Sequence, residues 1–591
     1  MSPRPNPRLR LLCAVTCFAI LASPSAALCG PLPAASPSAP AVLARVPSGG
    51  SLDDGSLPVY AQLRGADGVE YALTFVPAER LALASAARVL ATAGSPEEFV
   101  VALERRAGAR ARASSIADVV LDDGRHVVAR ADAAQAEALS AAGFDLVRLQ
   151  RVPMDLSPRA APAPLAATAW DPTIAGMTAG VTEAAVSDLT GGLSGEWPVA
   201  VGGSPVTIFS RHTSSGPQIG RATQYAFERL QALGLAPAYH EWTNGSNSGR
   251  NVVADLPGTL APTEIVVLCA HLDDMPFGSI APGADDNASG STGVLLAAQV
   301  LSAHRFQRTI RFVLFTGEEQ GLLGSAAYAN LLAAQGANVV AVLNLDMIAF
   351  DGAGGPVLRL HTRTPGNAGY AADRAIADTF RAAVTNYVGS ALSPIDDPDG
   401  LAASDHSSFW ARGWPGILAI EDDVNDFNPH YHTTADTLAR LNLPYFTSFV
   451  RASVATTAHL GVLQAEGAAF YALTPCRVLD TRDPSRPEGL GPPALEAGQT
   501  RSFTAGGVCG IPADSVALAV NVTVTASSAA GFVTLFPGLG PAPSTSTVHF
   551  RQGVTRASAA IVPAGPDAAF RAFNDSAGTA HLIVDVVGVF R

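Results

Sequence analysis

The spacing of apolar residues changes several times along the chain, and each change marks a boundary. Near the start an apolar run, Leu11 to Ala22, follows Arg4, Arg8 and Arg10 and gives way to the small residues Ser25, Ala26 and Ala27. This order reads as a secretory leader over residues 1–27. A run of about 12 apolar residues at 1.5 Å each is too short for a ~30 Å hydrocarbon layer, so no stable membrane span is expected. Cys29 is close enough to raise lipid attachment, although Leu28 before it is larger than such sites usually carry. Residues 28–55, rich in Ala, Pro, Ser and Gly without periodicity, have a linker composition.

Residues 56–156 mix strand-like runs (Val59 to Leu63, Tyr71 to Phe75, Leu146 to Leu149) with Ala- and Leu-rich runs that predict helices (Ala78 to Ala93, Ala131 to Ala142). They form a small α/β or α+β domain, either a pro-segment or a permanent accessory. A second Ala/Pro-rich linker covers 157–174. From 175 to 466, strands and helices alternate. Ile265 to Ala270, Thr309 to Phe315 and Val339 to Leu345 are near-continuous apolar runs, as expected of strands covered on both faces, with helices predicted at Gly290 to Ala303 and Gly324 to Ala334. The expected fold is α/β: a central, mostly parallel sheet with helices on both faces. Residues 467–591 alternate strictly, as in Val516, Leu518, Val520, Val522 and Val524, and predict an all-β sandwich.

A chain of 591 residues accommodates a leader and three such domains. Its basic residues, 38 in all and every one an Arg, are outnumbered by 51 Asp and Glu; the net charge of −13 without a basic stripe argues against nucleic acid as a partner. Export implies an oxidising compartment, and Cys476 and Cys509, which share the small C-terminal domain, are the expected disulfide. Cys269, inside an apolar run, reads as a buried inert thiol.

Chemistry-bearing residues gather where the middle domain's strands end. One run leads into His271-Leu-Asp273, the next into Thr316-Gly-Glu318-Glu319, the third into Asp346. Ligands of open α/β sheets bind beyond the carboxyl ends of the strands. Two loops join them, one with Asp285-Asp286-Asn287 and one with Tyr431-His432. Singly, each residue has an ordinary explanation: a structural His, a solvated Glu pair, a turn. Together, acids and histidines at buried strand ends are costly without a cation. Oxygen and imidazole donors without thiolates suit zinc or manganese, and zinc is the usual choice for an exported protein.

The order and spacing of Ala270-His-Leu-Asp-Asp274, Pro282-Gly-Ala-Asp-Asp-Asn-Ala-Ser-Gly290, Gly317-Glu-Glu-Gln-Gly-Leu-Leu-Gly-Ser325, Leu345-Asp-Met347, Ser404-Asp-His406 and His432-Thr-Thr-Ala-Asp-Thr-Leu438 resemble the bacterial leucyl aminopeptidase type of zinc exopeptidase. The resemblance covers about half of the chain. It implies two co-catalytic zinc ions, with Asp286 bridging, His271 and Asp346 completing one site, and Glu319 and His432 the other. Glu318 is then the general base, and Asp273 orients His271. Asn287 stands where many relatives carry an acid, which touches no expected ligand. Tyr431 is a candidate donor to the oxyanion, with a packed aromatic as the equal alternative.

The implied activity is hydrolysis of the N-terminal bond of peptides with a free N-terminus, by a protein secreted or held in the periplasm or at the cell surface. The C-terminal domain resembles β domains appended to secreted bacterial proteins and suggests surface attachment. A carboxypeptidase or N-acyl amino-acid deacylase is the nearest rival, but those usually insert a domain after the Glu pair. Here Asp346 is 27 positions beyond Glu319 and His432 a further 86, which leaves little room for one. A single-zinc glutaminyl cyclase is disfavoured by the full ligand set. A decayed, non-catalytic adhesin is disfavoured because neither a ligand nor the base is missing.

Overall fold

A computed structural model describes residues 41–47, 57–83, 86–156, 168–464, 468–537 and 542–591. The expected leader, Cys29 and linker residues 157–167 lie outside them. The chain divides into two compact units, Met1–Leu463 and Gln464–Arg591. No helix among the described residues is long and apolar enough to cross a membrane.

The first unit begins with two four-stranded sheets. One has the order β2–β3–β1–β4 (Val59–Arg64, Glu70–Pro77, Ala41–Pro47, Arg88–Ala93), the other β6–β7–β5–β8 (Asp118–Asp122, His126–Arg130, Phe99–Glu104, Phe144–Arg148). Two expectations are corrected here. Ala41–Pro47, assigned to the linker over 28–55, is an interior strand, paired with β3 on one side and β4 on the other. The run Ala78 to Ala93 is a 3₁₀ segment, Ala78–Leu83, followed by β4 rather than a helix. Alanine's helix propensity is a weak prior, and pairing with β1 overrides it. Helix Ala133–Ala142 does form, started by an Asp132/Gln135 capping box and ended by Gly143 at φ 101°.

A short hairpin of β9 (Val199–Val201) and β10 (Ser204–Val206) precedes the central sheet. That sheet has eight strands: β11 (Ala238–Asn244), β12 (Asn247–Leu256), β13 (Ala261–His271), β14 (Arg308–Phe315), β15 (Asn338–Leu345), β16 (Val357–His361), β17 (Ser393–Asp397) and β18 (Ile417–Glu421). The order is β11–β12–β14–β13–β15–β18–β16–β17. Its centre, β14–β13–β15–β18, is parallel, whereas β11, β12 and the β16–β18 pairing are antiparallel, so the sheet is mixed.

The apolar runs of the central strands reflect burial on both faces. Along β13, Val266, Leu268 and Ala270 join the core beneath helices Ala288–Leu301 and Leu443–Gly461. Ile265, Val267 and Cys269 face the other way, against Tyr328, Leu332, Phe409 and Trp414. The period of two divides one continuous run between two cores.

The second unit is a sandwich of two four-stranded antiparallel sheets, with Leu518, Val520, Val522 and Val524 all turned into its core. Val516 precedes the strand and is exposed. Cys476 and Cys509 form a disulfide, and Cys269 is buried and free.

Candidate active site

Three parallel strands deliver the chemistry to one edge. β13 ends on His271, β14 leads through Thr316 and Gly317 to Glu318 and Glu319, and β15 leads directly into Asp346. Asp286 stands just before helix Ala288–Leu301, whose first turn is closed by Asn287 accepting from the Gly290 N–H. His432 comes from the loop after β18 and holds a left-handed backbone, φ 56°, which is rare for a residue with a β-carbon.

Asp286 turns one carboxylate oxygen to each histidine. Its Oδ1 is 3.3 Å from His271 Nε2 and its Oδ2 is 3.2 Å from His432 Nε2. His271 Nε2 also lies 3.2 Å from Asp346 Oδ1, and His432 Nε2 lies 2.8 Å from Glu319 Oε2. Two groups of donors, His271/Asp286/Asp346 and Asp286/Glu319/His432, share Asp286, and His271, Glu318 and Glu319 make a third at the same place. The Glu318 carboxylate lines the same small cavity.

These residues fit divalent cations on their own geometry. His432 Nδ1 is 2.9 Å from the carbonyl of Ser140, which makes Nδ1 the donor and leaves a lone pair on Nε2. Although carboxylates crowd it, Nε2 makes no hydrogen bond, and neither does Glu319 Oε1. Burial pushes Glu318 well above the ordinary carboxylate range, and with Asp286 adding to it burial pushes Glu319 up to about 8. Burial would lower the two imidazoles, but Asp346 acting on His271 and Glu319 acting on His432 raise both. Four buried carboxylates around two imidazoles are a site short of positive charge.

The supporting contacts are hydrogen bonds that sequence reading missed. Ser404 Oγ donates to Asp346 Oδ2 at 2.6 Å and accepts from Asn344 Nδ2 at 2.8 Å. Asp436 accepts the backbone N–H of Asp285 and of Asp286, which pins the turn carrying Asp286. Asn428 donates to Asp285 Oδ2 at 2.9 Å. Asp273 acts differently from expectation: His271 Nδ1 is 3.1 Å from its backbone carbonyl and 3.8 Å from its carboxylate. That carboxylate instead accepts from Thr213 Oγ and from the N–H groups of Glu318 and Glu319, so it shapes the Glu loop.

Residues 251–457 match the sequence model of Peptidase family M28. All the metal-type residues and Glu318 fall inside that span. A probable leucine aminopeptidase of Trichophyton verrucosum is 32% identical over 222 residues, 36% of this chain and 57% of the relative. Leucine aminopeptidase 1 of Trichophyton equinum is 33% identical over 205 residues, 33% of this chain and 53% of the relative. The chain therefore spans little more than half the length of these relatives. Among solved structures, the LapA aminopeptidase of Legionella pneumophila aligns with 62% of this chain and 99% of its own, at 18% identity and a TM-score of 0.49. A zinc aminopeptidase from Bacillus subtilis aligns with 37% of this chain and 51% of its own, at 25% identity and a TM-score of 0.32.

The M28-matching segment meets the N-terminal sheets at the site itself. Besides the Ser140 carbonyl on His432, Arg106 donates to the carbonyl of Tyr431, and the Tyr431 hydroxyl donates to Asp145. Tyr431 also stacks on His432, with ring centroids 3.6 Å apart. Its hydroxyl is thus committed to Asp145 rather than to an oxyanion. Glu137 reaches His212 at 2.9 Å, and Arg105 bridges Asp145 and Asp423. No spacing in the sequence could have announced these partners, because they come from another domain.

Proposed function

We propose that this protein is an exported zinc aminopeptidase that hydrolyses the N-terminal bond of peptides, with two zinc ions per chain. The observation that carries the proposal is the pair of donor groups sharing Asp286 beside the Glu318 carboxylate. His271 and Asp346 would hold one ion, Glu319 and His432 the other, and Asp286 both. When bound, such a pair lowers the pKa of a shared water and polarises the scissile carbonyl. Glu318 takes the proton of the attacking water and returns it to the leaving amine. The carboxylates of Glu318 and Asp346 offer a negative seat for a free α-ammonium, and Met347, Leu418, Ile420 and Phe427 wall the same cavity with apolar surface. The fungal relatives named as leucine aminopeptidases support this preference. The leader expected over residues 1–27 and the Cys476–Cys509 disulfide support export, and attachment to a surface is our reading for the C-terminal sandwich.

Metal analysis tests the assignment. About two zinc per chain are expected, and His271→Ala and His432→Ala should each lose metal and hydrolysis of leucine anilide. Full zinc content in both variants would overturn it.

A further inference from the structure

We propose that the cavity beside strand β2 is a second peptide-binding site, in which an extended oligopeptide of about five residues adds to the free edge of β2. The inference goes beyond the aminopeptidase reading and does not depend on it. This site reads the main chain of a peptide and needs neither a metal nor a free N-terminus.

Three observations carry it. First, β2 is the last strand of its sheet and pairs with β3 alone. The Gly65 N–H donates to the Val69 carbonyl, and from there the antiparallel register alternates. Leu63 therefore exchanges hydrogen bonds with Tyr71, while Gln62 and Arg64 turn their N–H and C=O groups away from β3. Among the described residues, backbone other than that of β3 reaches β2 at one point, the Met154 N–H on the Val59 carbonyl at 2.7 Å. Second, a cavity of about 550 Å³ is lined by every residue from Tyr60 to Arg64. Consecutive residues of a strand point to opposite faces, so a space that touches all five lies along the edge of the strand. The volume falls within the ~300–1,000 Å³ of small-ligand sites, and Tyr60 to Arg64 span roughly 13 Å at ~3.3 Å per residue, the length of about five paired residues. Third, the other walls suit the alternating side chains of an added strand. Val101 of β5, Val147 of β8, Leu322 and Trp410 are apolar, whereas His126 and Asn330 are polar.

The cavity is separate from the metal-type residues. It shares Asp145 and Ala403 with the small cavity over them, and none of the metal-type side chains lines it. The Gln62 side chain already accepts from Asn367 Nδ2 at 3.1 Å, which leaves the main chain of β2 to recognise the peptide. Affinity should then follow extension and alternation rather than one sequence, because the main chain supplies the hydrogen bonds.

The test uses the full-length protein, purified in zinc, and a pentapeptide blocked at both ends, N-acetyl-Val-Thr-Val-Thr-Val-amide, which offers an aminopeptidase no free N-terminus. Calorimetric binding is measured on the parent and on Gln62→Pro, Gln62→Ala and Ala372→Trp, alongside zinc content and hydrolysis of leucine anilide. Gln62→Pro removes an outward N–H at a place where an edge strand tolerates proline, and Gln62→Ala keeps that N–H. Ala372→Trp fills the cavity from the wall formed by the M28-matching segment. We expect binding by the parent and by Gln62→Ala, and a loss of at least about tenfold in the other two. Amide exchange at Gln62 and Arg64 should slow in the complex, with zinc content and hydrolysis equal throughout. Ala372→Trp keeps the test decisive if Gln62→Pro does not fold. No binding by the parent, or undiminished binding by Gln62→Pro and Ala372→Trp, would overturn the second site and leave the proposed function standing. Binding of octanoate but not of the peptide would overturn it in favour of a plain aliphatic ligand. Peptide binding by a protein that takes up no zinc and cuts no anilide would support the second site and overturn the function.

Discussion

Ser404 shows how much of a metal site lies outside its ligands. Its hydroxyl holds Asp346 Oδ2 and is itself held by Asn344, so the carboxylate's other oxygen is left aimed at His271. Loss of such a partner typically lowers metal affinity by about 10–100-fold. Ser404→Ala is expected to fall in that range in a zinc competition titration, and unchanged affinity would remove Ser404 from the account. His271, Glu318, Glu319 and Asp346 were legible in the sequence because each follows an apolar strand, and Asp286 and His432, on loops, through the motifs around them. Their partners were not: Asp273 holds His271 through its backbone carbonyl, a contact indifferent to residue type. Ser140, Asp145 and Arg106 arrive from a domain whose docking no spacing encodes.

At the scale of elements, the turn Asp285-Asp286-Asn287 depends on Asp436, whose carboxylate accepts two consecutive backbone N–H groups. Asp436→Ala leaves both buried donors unpaired, for a loss of roughly 1–3 kcal/mol each where no water replaces the oxygen. Urea unfolding should show the loss together with weaker zinc binding; wild-type stability would contradict the role. The central strands were readable because helices cover both faces and make them apolar throughout. The edge strands β11 and β17 carry polar residues, and the antiparallel pairings lie outside the apolar centre, at β11–β12, β12–β14 and β16–β18, so the sheet is parallel through its centre and mixed towards its edges. Ala41–Pro47 and the run ending at Ala93 were misread because their strand state comes from pairing with each other, a non-local effect stronger than composition.

For the molecule as a whole, His361 ties a buried charge network to the domain contact. Its Nδ1 lies 3.0 Å from Asp399 and its Nε2 3.2 Å from Asp423, acids that also meet Arg125, Arg105 and Arg359. Burial would lower its pKa, but Asp423 and Asp399 lift it to about 9. A folded value above the unfolded ~6.5 means stabilisation that is complete below about pH 6.5 and lost as pH rises through about 9. The contribution is at most ~3 kcal/mol. Urea unfolding should therefore show stability falling between about pH 6.5 and 9, with His361→Gln removing most of that slope. A slope unchanged by the substitution would assign the effect elsewhere.

The central claim, a water activated by Glu318 beside two metals and directed to a free N-terminus, is tested most directly by one comparison. Leucine anilide and its N-acetylated twin are offered to the zinc-loaded protein and to its Glu318→Gln variant. The account predicts hydrolysis of the unblocked compound alone, and a fall of about 10²–10⁴-fold in the variant with zinc retained, as expected when a general base is removed. Equal hydrolysis of the acetylated compound, or a Glu318→Gln variant as fast as the parent, would contradict it.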